Sequence, residues 1–561
     1  MNSQSTVFAL ALAGALSLAA GGSLAADAPE GKRLFGERCA ICHSAEPNDG
    51  GGAQGPSLIG LFGRPAASTA FPYTPALKGS HLTWDEATLD RFLAAPAAVV
   101  PGSSMVIAVP KNHERAALIA YFKSVAGLKS ETAAPIPAAS AGSADWHLDA
   151  PGQLHRIDLA KLPPPFSTPS SNNRTAVRSR PDGAALKVPA GFHVDPFANG
   201  FEGPRKMLLA PNGDVLLTET YGGRVTILHP SAAHERAERA DMFAAGLHQP
   251  FGIAFYPNAQ NPEWLYVGET DQITRFRYHS GDTHAREAGE VVVRNLPSGG
   301  HFTRDVAFSP DGKQLYVSVG SASNVAEGMP KKTPAEIKAW EASHGFGATW
   351  GNETHRADVL IFDAAHPGDP KVYASGIRNC VGLTLQPANG ALWCTTNERD
   401  ALGDDLVPDY STRVHAGDFY GWPWYYMGSH EDPRLKGDRP DLAGKVLLPD
   451  IPYQAHSASL SMTFYQASHG NSAFPEAYMG DAIVALHGSW NRSLRTGYKL
   501  VRAHMKNGEP TGDYEDFLTG FVIDNDSVWG RPVATVELDD GSLLMSEDGK
   551  NFIYRISYKH P

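Results

Sequence analysis

Beyond about residue 190 the apolar positions fall into one recurring pattern: a short apolar strand, a tight turn rich in Pro, Asp, Asn and Gly, then a second apolar strand. It reads MLLAPNGDVLLTE over Met207–Glu219, IAFYPNAQNPEWLYVGE over Ile253–Glu269 and VAFSPDGKQLYVSVG over Val306–Gly320. It returns as LTLQPANGALWCTT over Leu383–Thr396 and VATVELDDGSLLMSED over Val533–Asp548. A degenerate sixth unit fits Leu460–Leu486, with IVALHGS (Ile483–Ser489) as its inner strand. One such turn is weak evidence, since any β-rich protein has them; five aligned copies are not. Such units cannot bury their faces singly and close into a ring, so six of them predict an all-β six-bladed propeller over residues 189–561. The insertions Val325–Thr354 and Asp404–Pro452 are expected as loops on one face, where propellers keep their sites.

The first part of the chain follows another pattern. Residues 1–26 carry no charge, Val7–Ala20 is apolar, and Ser23-Leu24-Ala25 offers a small-x-small cleavage site. This predicts a secretory leader and a periplasmic protein; the run is short for a membrane anchor, and no later stretch is apolar enough to cross a bilayer. Over 27–127 an all-α domain is expected, with helices at Gly31–Arg38 and Glu114–Val125, the second placing Leu118, Tyr121 and Phe122 on one face. Ser130–Ser143 is small-residue, Pro-containing and without hydrophobic period, so 128–188 reads as a linker and irregular lead-in.

Composition sharpens this. A chain of 561 residues predicts two or more domains, and 56 Gly with 42 Pro favour a turn-rich architecture. Net charge is −12, and residues 27–127 hold nine acidic and nine basic side chains, so the rest carries the whole excess. That argues against nucleic acid or an anionic membrane as partner.

Candidate chemistry begins at Cys39-Ala40-Ile41-Cys42-His43. In C-x-x-C-H two thiols add to the haem vinyl groups while the adjacent His is held against the iron. Met105 is the only methionine between the initiator and Met207, so it is the one candidate for a Met axial ligand, with His81 and His113 as rivals. Cys380 and Cys394 flank a turn at Pro387–Gly390 and are either a disulfide across a hairpin or two buried thiols.

The segments Gly55-Pro56-Ser57-Leu58, Gly60-Leu61-Phe62-Gly63-Arg64, Leu82-Thr83-Trp84, Pro101-Gly102-Ser103-Ser104-Met105 and Glu114 to Tyr121 stand in the order seen in class I, mitochondrial-type cytochromes c, which the N-terminal domain closely resembles. The resemblance implies haem c bound through Cys39 and Cys42, His43 and Met105 on the iron, Pro56 supporting the His, and Arg64, Tyr73 and Trp84 near the propionates.

A covalently attached haem moves single electrons, so its partner domain should generate them. No G-x-G-x-x-G turn sits between a strand and a helix, which points to a non-nucleotide organic cofactor. The run Gly299-Gly300-His301-Phe302-Thr303-Arg304-Asp305, the stretch Ser375-Gly376-Ile377-Arg378-Asn379-Cys380, Gly403-Asp404-Asp405-Leu406, Gly421-Trp422-Pro423 and Gly530-Arg531-Pro532 resemble propeller dehydrogenases that use pyrroloquinoline quinone (PQQ). The likeness is greatest to the L-sorbosone and pyranose dehydrogenase branches. It implies that His301 takes the substrate proton, that Arg378 and Asn379 face the quinone oxygens, and that Arg304 and Arg531 meet its carboxylates. It further implies Asn491 or Arg492 in place of a quinone-binding Lys, and Ca²⁺ on backbone carbonyls near Arg399 and Asp400. Ser321 or Asn324 would orient His301, where more distant relatives use an Asp.

The expected function is oxidation of a sugar or sugar aldehyde, with electrons passed through PQQ to haem c and then to another cytochrome or a terminal oxidase. Two other readings stay open: a metal-dependent, lactonase-like hydrolase drawing ligands from Glu219, Glu269 and Asn397, and a non-catalytic binding propeller. Arg378 paired with Asp358 or Glu398 would be structural. Trp422, Trp424, Tyr425 and Tyr426 are either a sugar-stacking platform or core.

Overall fold

The computed structural model describes residues 24–40, 43–46, 55–69, 71, 73–103, 105, 107–127 and 145–560. Cys42, the linker at 130–143 and all but the last three residues of the expected leader lie outside them.

The N-terminal domain is helical. Its first helix, Leu24–Arg38, crosses the last, Asn112–Ser124, and Gly31 permits the close approach: a Cβ there would overlap the carbonyl of Ala117 and lie 2.8 Å from Cβ of Tyr121. Phe35 then packs against Tyr121 and edge-on against Phe122, with ring centroids 5.5 and 6.0 Å apart. A third helix, Glu86–Ala94, starts where the Asp85 carboxylate accepts the N–H of Thr88 at 2.8 Å. Leu34, Leu61, Leu89, Leu93, Val109 and Leu118 close one core between them.

The C-terminal domain is the six-bladed propeller that the repeats predict, and each repeat supplies the two inner strands of a blade. The innermost strands are Pro204–Leu209, Ile253–Tyr256, Val306–Phe308, Cys380–Leu385, Ser459–Phe464 and Pro532–Glu537 for blades 1 to 6. In blade 5 the degenerate repeat differs from expectation: Ala482–Leu486 is the second strand, fully buried between neighbours on both sides. Blade 6 is composite. Its outer strand, Phe192–Asn199, comes from the start of the domain and lies antiparallel to Phe552–Tyr558 at its end. In blade 4, Cys380 and Cys394 form a disulfide between the two innermost strands, with Cα atoms 5.7 Å apart.

The segment expected as an irregular lead-in is stitched to the ring. Leu154–Arg156 adds a fifth strand to blade 5, and Ala176–Val177 runs parallel to Ser527–Val528. Lys499, fully buried, bridges Asp149 of the lead-in and Asp516 of blade 5 at 2.7 Å each. The first insertion holds a helix, Pro334–His344, opened by a capping box between Thr333 and Glu336. Within the second, Pro408–Arg413 is the third strand of blade 4, Tyr425–Tyr426 and His430–Glu431 form a short hairpin, and Ile451–Ala455, which starts at its end, is the fourth strand of the blade.

Candidate functional site

In the helical domain Cys39, His43 and Met105 line one apolar cleft with Leu58, Leu61 and Trp84. His43 Nδ1 lies 2.8 Å from the carbonyl of Pro56, which can only accept; the proton therefore sits on Nδ1 and Nε2 is bare. Burial pushes this imidazole down to about 4, keeping it in the neutral form that binds iron. His81 and His113 are exposed, and neither lines the cleft. Arg64, Tyr73 and Trp84 do line it, and Arg64 donates to the carbonyls of Ser57 and Ile59 at 2.7 and 3.0 Å. A bare imidazole nitrogen, a thioether and a thiol around an apolar slot fit a covalently held haem.

On the propeller, side chains gather where the inner strands begin. His301 precedes the inner strand of blade 3 and Arg378 that of blade 4, and Ser321 joins them. Its N–H donates to the carbonyl of Arg378 at 2.8 Å, and its carbonyl accepts the N–H of His301 at 3.1 Å. The same carbonyl and the Ser321 hydroxyl each lie 3.0 Å from His301 Nδ1. The proton is again on Nδ1 and Nε2 is bare, as a general base requires. Ser321, rather than Asn324, orients the ring. Burial first, then the cation of Arg378, with Arg356 and Arg304 behind it, hold His301 well below the usual imidazole range.

Arg378 has all five N–H groups engaged: with the Asn324 carbonyl and Oδ1, the carbonyls of Asn397 and Glu398, and the Asp400 carboxylate at 3.0 Å. Its ion pair is with Asp400, not with Asp358 or the Glu398 side chain. It acts on the site through charge. Asn379 keeps a buried Oδ1 with no partner among the described residues, and so does Asn397. Gly320 lets Asn379 and His301 pack against one backbone position: a Cβ there would overlap Asn379 Oδ1 and stand 2.6 Å from Cβ of His301. Gly320→Ala is expected to push these two side chains apart and to weaken quinone binding while leaving the haem spectrum intact, checked by titrating quinone fluorescence quenching.

The other expected cofactor residues have different tasks. Arg304 is fully buried and donates to the carbonyls of His301, Thr303 and Pro297, so it braces the turn, while its Nε keeps no partner among the described residues. Arg356, not anticipated, does the same for Gly299, Gly320 and Ser298. Asn491 ties the N–H of Ala401 to the carbonyl of Ser171, and Arg492 holds the Asp404–Asp405 turn. Arg399 is spent on Glu398, Asp432 and two carbonyls. The Asp400 carbonyl already accepts from Asn324 at 3.1 Å and Arg434 at 2.8 Å, filling both lone pairs, so the Ca²⁺ expectation does not fit there.

Arg531 belongs to a buried chain of charged and polar groups. It donates to His487 Nδ1 at 2.9 Å, while His487 Nε2 meets Asp548 at 2.8 Å and Asp548 meets Arg205 at 3.1 Å. Burial and Arg531 push His487 down to about 4, so it is neutral, and two guanidinium groups share one carboxylate. Glu547, which accepts the Arg531 backbone N–H at 3.2 Å, is the other acidic group beside them. Arg205 and His487 escaped the sequence reading, although a signal existed: Arg205, Arg304, Arg378 and Arg531 all stand at or just before an inner strand. The hydrolase alternative is not assembled. Glu219 and Glu269 accept the backbone N–H groups of Glu202 and His248 within their own blades, and the described residues hold no cluster of three metal-ligating side chains. Trp422, Trp424, Tyr425 and Tyr426 are core.

The haem cleft lies against the propeller: Tyr221, Gln249, Gly299, Gly300 and Phe302 close one side of it. Fold and site thus define a class, a c-type cytochrome joined to the site face of a six-bladed propeller. The chain belongs to the TrAA12-like family, whose model matches residues 186–417 and 442–559, and a cytochrome c model matches 28–126. An uncharacterised protein of Borreliella burgdorferi is 27% identical over 393 residues, covering 67% of this chain and 92% of that one. Cytochrome c2 iso-2 of Magnetospirillum fulvum is 47% identical over 102 residues, covering 18% of this chain and 100% of its own. The holo form of the pyranose dehydrogenase PQQ domain from Coprinopsis cinerea superposes with a TM-score of 0.54 at 20% identity, covering 67% of this chain and 97% of that one; at that identity it shows the fold.

Proposed function

We propose that this protein is an exported, periplasmic oxidoreductase that oxidises a sugar or sugar aldehyde of the L-sorbosone or aldose type and delivers the electrons to its own haem c. The observation that carries the reading is the bare Nε2 of His301 and the unpartnered Oδ1 of Asn379, both packed on Gly320, in a turn whose neighbours line the haem cleft. The relative with a similar fold is a pyranose dehydrogenase PQQ domain, and the cationic Arg205–Arg531 pair suits the carboxylates of that quinone.

PQQ, when bound, supplies a two-electron acceptor for the substrate hydrogen. His301 Nε2 takes the proton from the hydroxyl of an alcohol or aldehyde hydrate, and Ser321 keeps the ring aimed while it does so. Arg378, its donors spent on carbonyls and Asp400, places a fixed positive charge where oxygen charge develops. Arg205 and Arg531 anchor the anionic end, and burial keeps water out. The electrons then pass to a downstream cytochrome or terminal oxidase.

The test is reconstitution with PQQ, with and without added Ca²⁺, followed by a panel of aldoses, sorbosone and simple aldehydes. Bleaching of oxidised haem on substrate addition is the expected result. Haem that stays oxidised across the panel, with lactones hydrolysed in the absence of quinone, would favour the hydrolase instead.

A further inference from the structure

We propose that the turn Gly299–Phe302 is the electron port between propeller and haem, and that Arg174 is the residue that holds the cytochrome against it. The role of the port rests on the oxidoreductase reading; the role of Arg174 stands on contacts that do not depend on it.

The turn has two sides. On one, Gly299, Gly300 and Phe302 line the haem cleft together with Met105 and Ile107. Gly299 lies flush against the cytochrome: a Cβ there would meet only Ile107, at 3.9 Å. On the other side, His301 packs its Cβ on Gly320 and turns its imidazole toward Ser321. Four consecutive residues therefore carry the proton acceptor and the haem contact back to back. They are also rigid, because Arg304 and Arg356 hold the carbonyls of Pro297, Ser298, Gly299, His301 and Thr303.

Arg174 comes from the lead-in and grips the cytochrome beside its proximal ligand. It donates to Ser44 Oγ at 2.6 Å and to the carbonyl of Gly55 at 3.2 Å. Ser44 follows His43, and Gly55 precedes Pro56, whose carbonyl orients that His. The arm behind it is fixed to blade 5: Arg495 donates to the Arg174 carbonyl at 3.0 Å and to Asn173 Oδ1 at 3.1 Å, and the N–H of Asn173 donates to the Trp490 carbonyl at 2.7 Å. A cation held there also favours the reduced iron over the oxidised one.

The stoichiometry makes a stable dock matter. Oxidising one hydroxyl to a carbonyl releases two electrons and two protons, whereas the iron takes one electron, Fe(III) to Fe(II). Two electrons must cross the port in succession, and the iron must hand the first to an external one-electron acceptor, such as another cytochrome, before the second arrives.

Arg174→Glu and Ile107→Asp, made in the full-length haem protein, test the proposal from the two sides of the interface. After reconstitution with PQQ and mixing with sugar, haem reduction is expected to slow about tenfold or more in each, the effect of losing charge-assisted hydrogen bonds or burying a charge. Turnover with a small dye that drains the propeller pocket directly should be unchanged. In quinone-free protein the haem midpoint potential should fall in Arg174→Glu. Unchanged haem reduction in both variants overturns the port, and an unchanged potential overturns the placement of Arg174. Wild-type protein that reduces neither haem nor dye overturns the oxidoreductase reading, and the potential shift then tests Arg174 alone.

Discussion

Replacing His301 with glutamine is expected to lower turnover by about 10²–10⁴-fold, the usual cost of removing a positioned proton acceptor. Glutamine keeps the volume and can still donate to Ser321, so the haem spectrum and thermal midpoint should stay near wild type. The pH dependence follows from the same surroundings. Burial and the cations of Arg378, Arg356 and Arg304 disfavour a charged imidazole. The base is therefore neutral throughout the neutral range, and kcat/KM should be flat there, falling only on the acid side as Nε2 gains a proton. Turnover within tenfold of wild type in His301→Gln would remove this residue from the chemistry.

Arg378→Met is expected to act twice. Its guanidinium is the 3.0 Å partner of Asp400, and the His456 ring stands 3.5 Å from that carboxylate. Breaking a buried pair by removing one member costs about 3–5 kcal/mol, which denaturant unfolding of the variant will read directly. The second effect is on His301. With a like charge removed, its pKa rises toward the ordinary imidazole value, so the acid limb of the activity profile should move to higher pH. A stability loss without any movement of that limb would place Arg378 in the scaffold only.

Much of this was legible in the sequence because it rests on local rules. Blade number follows from counted turns, and the cytochrome domain from C-x-x-C-H, whose Cys39 and His43 share a cleft with the solitary Met105. Other features have no local signature. Leu154–Arg156 pairs with residues about 360 positions away, and nothing in its own pattern announces that. Arginine is the clearest case of a residue type that composition cannot interpret. Arg304, Arg399 and Arg492 hold carbonyls and carboxylates of their own turns, while Arg205 and Arg531 meet across Asp548 and His487, and only the turn around each decides which. The orienter of His301 was open between two residues because both stand in the same loop; the backbone path of Ser321 settles it.

The composite sixth blade sets an order of assembly. Phe192–Asn199 has no sheet to join until Phe552–Tyr558 is made, so synthesis from the amino terminus leaves an open crescent until that strand emerges. The cytochrome, complete by residue 127, stands ready long before then, and its thiols can meet haem while the surface that will later cover the cleft is still unformed.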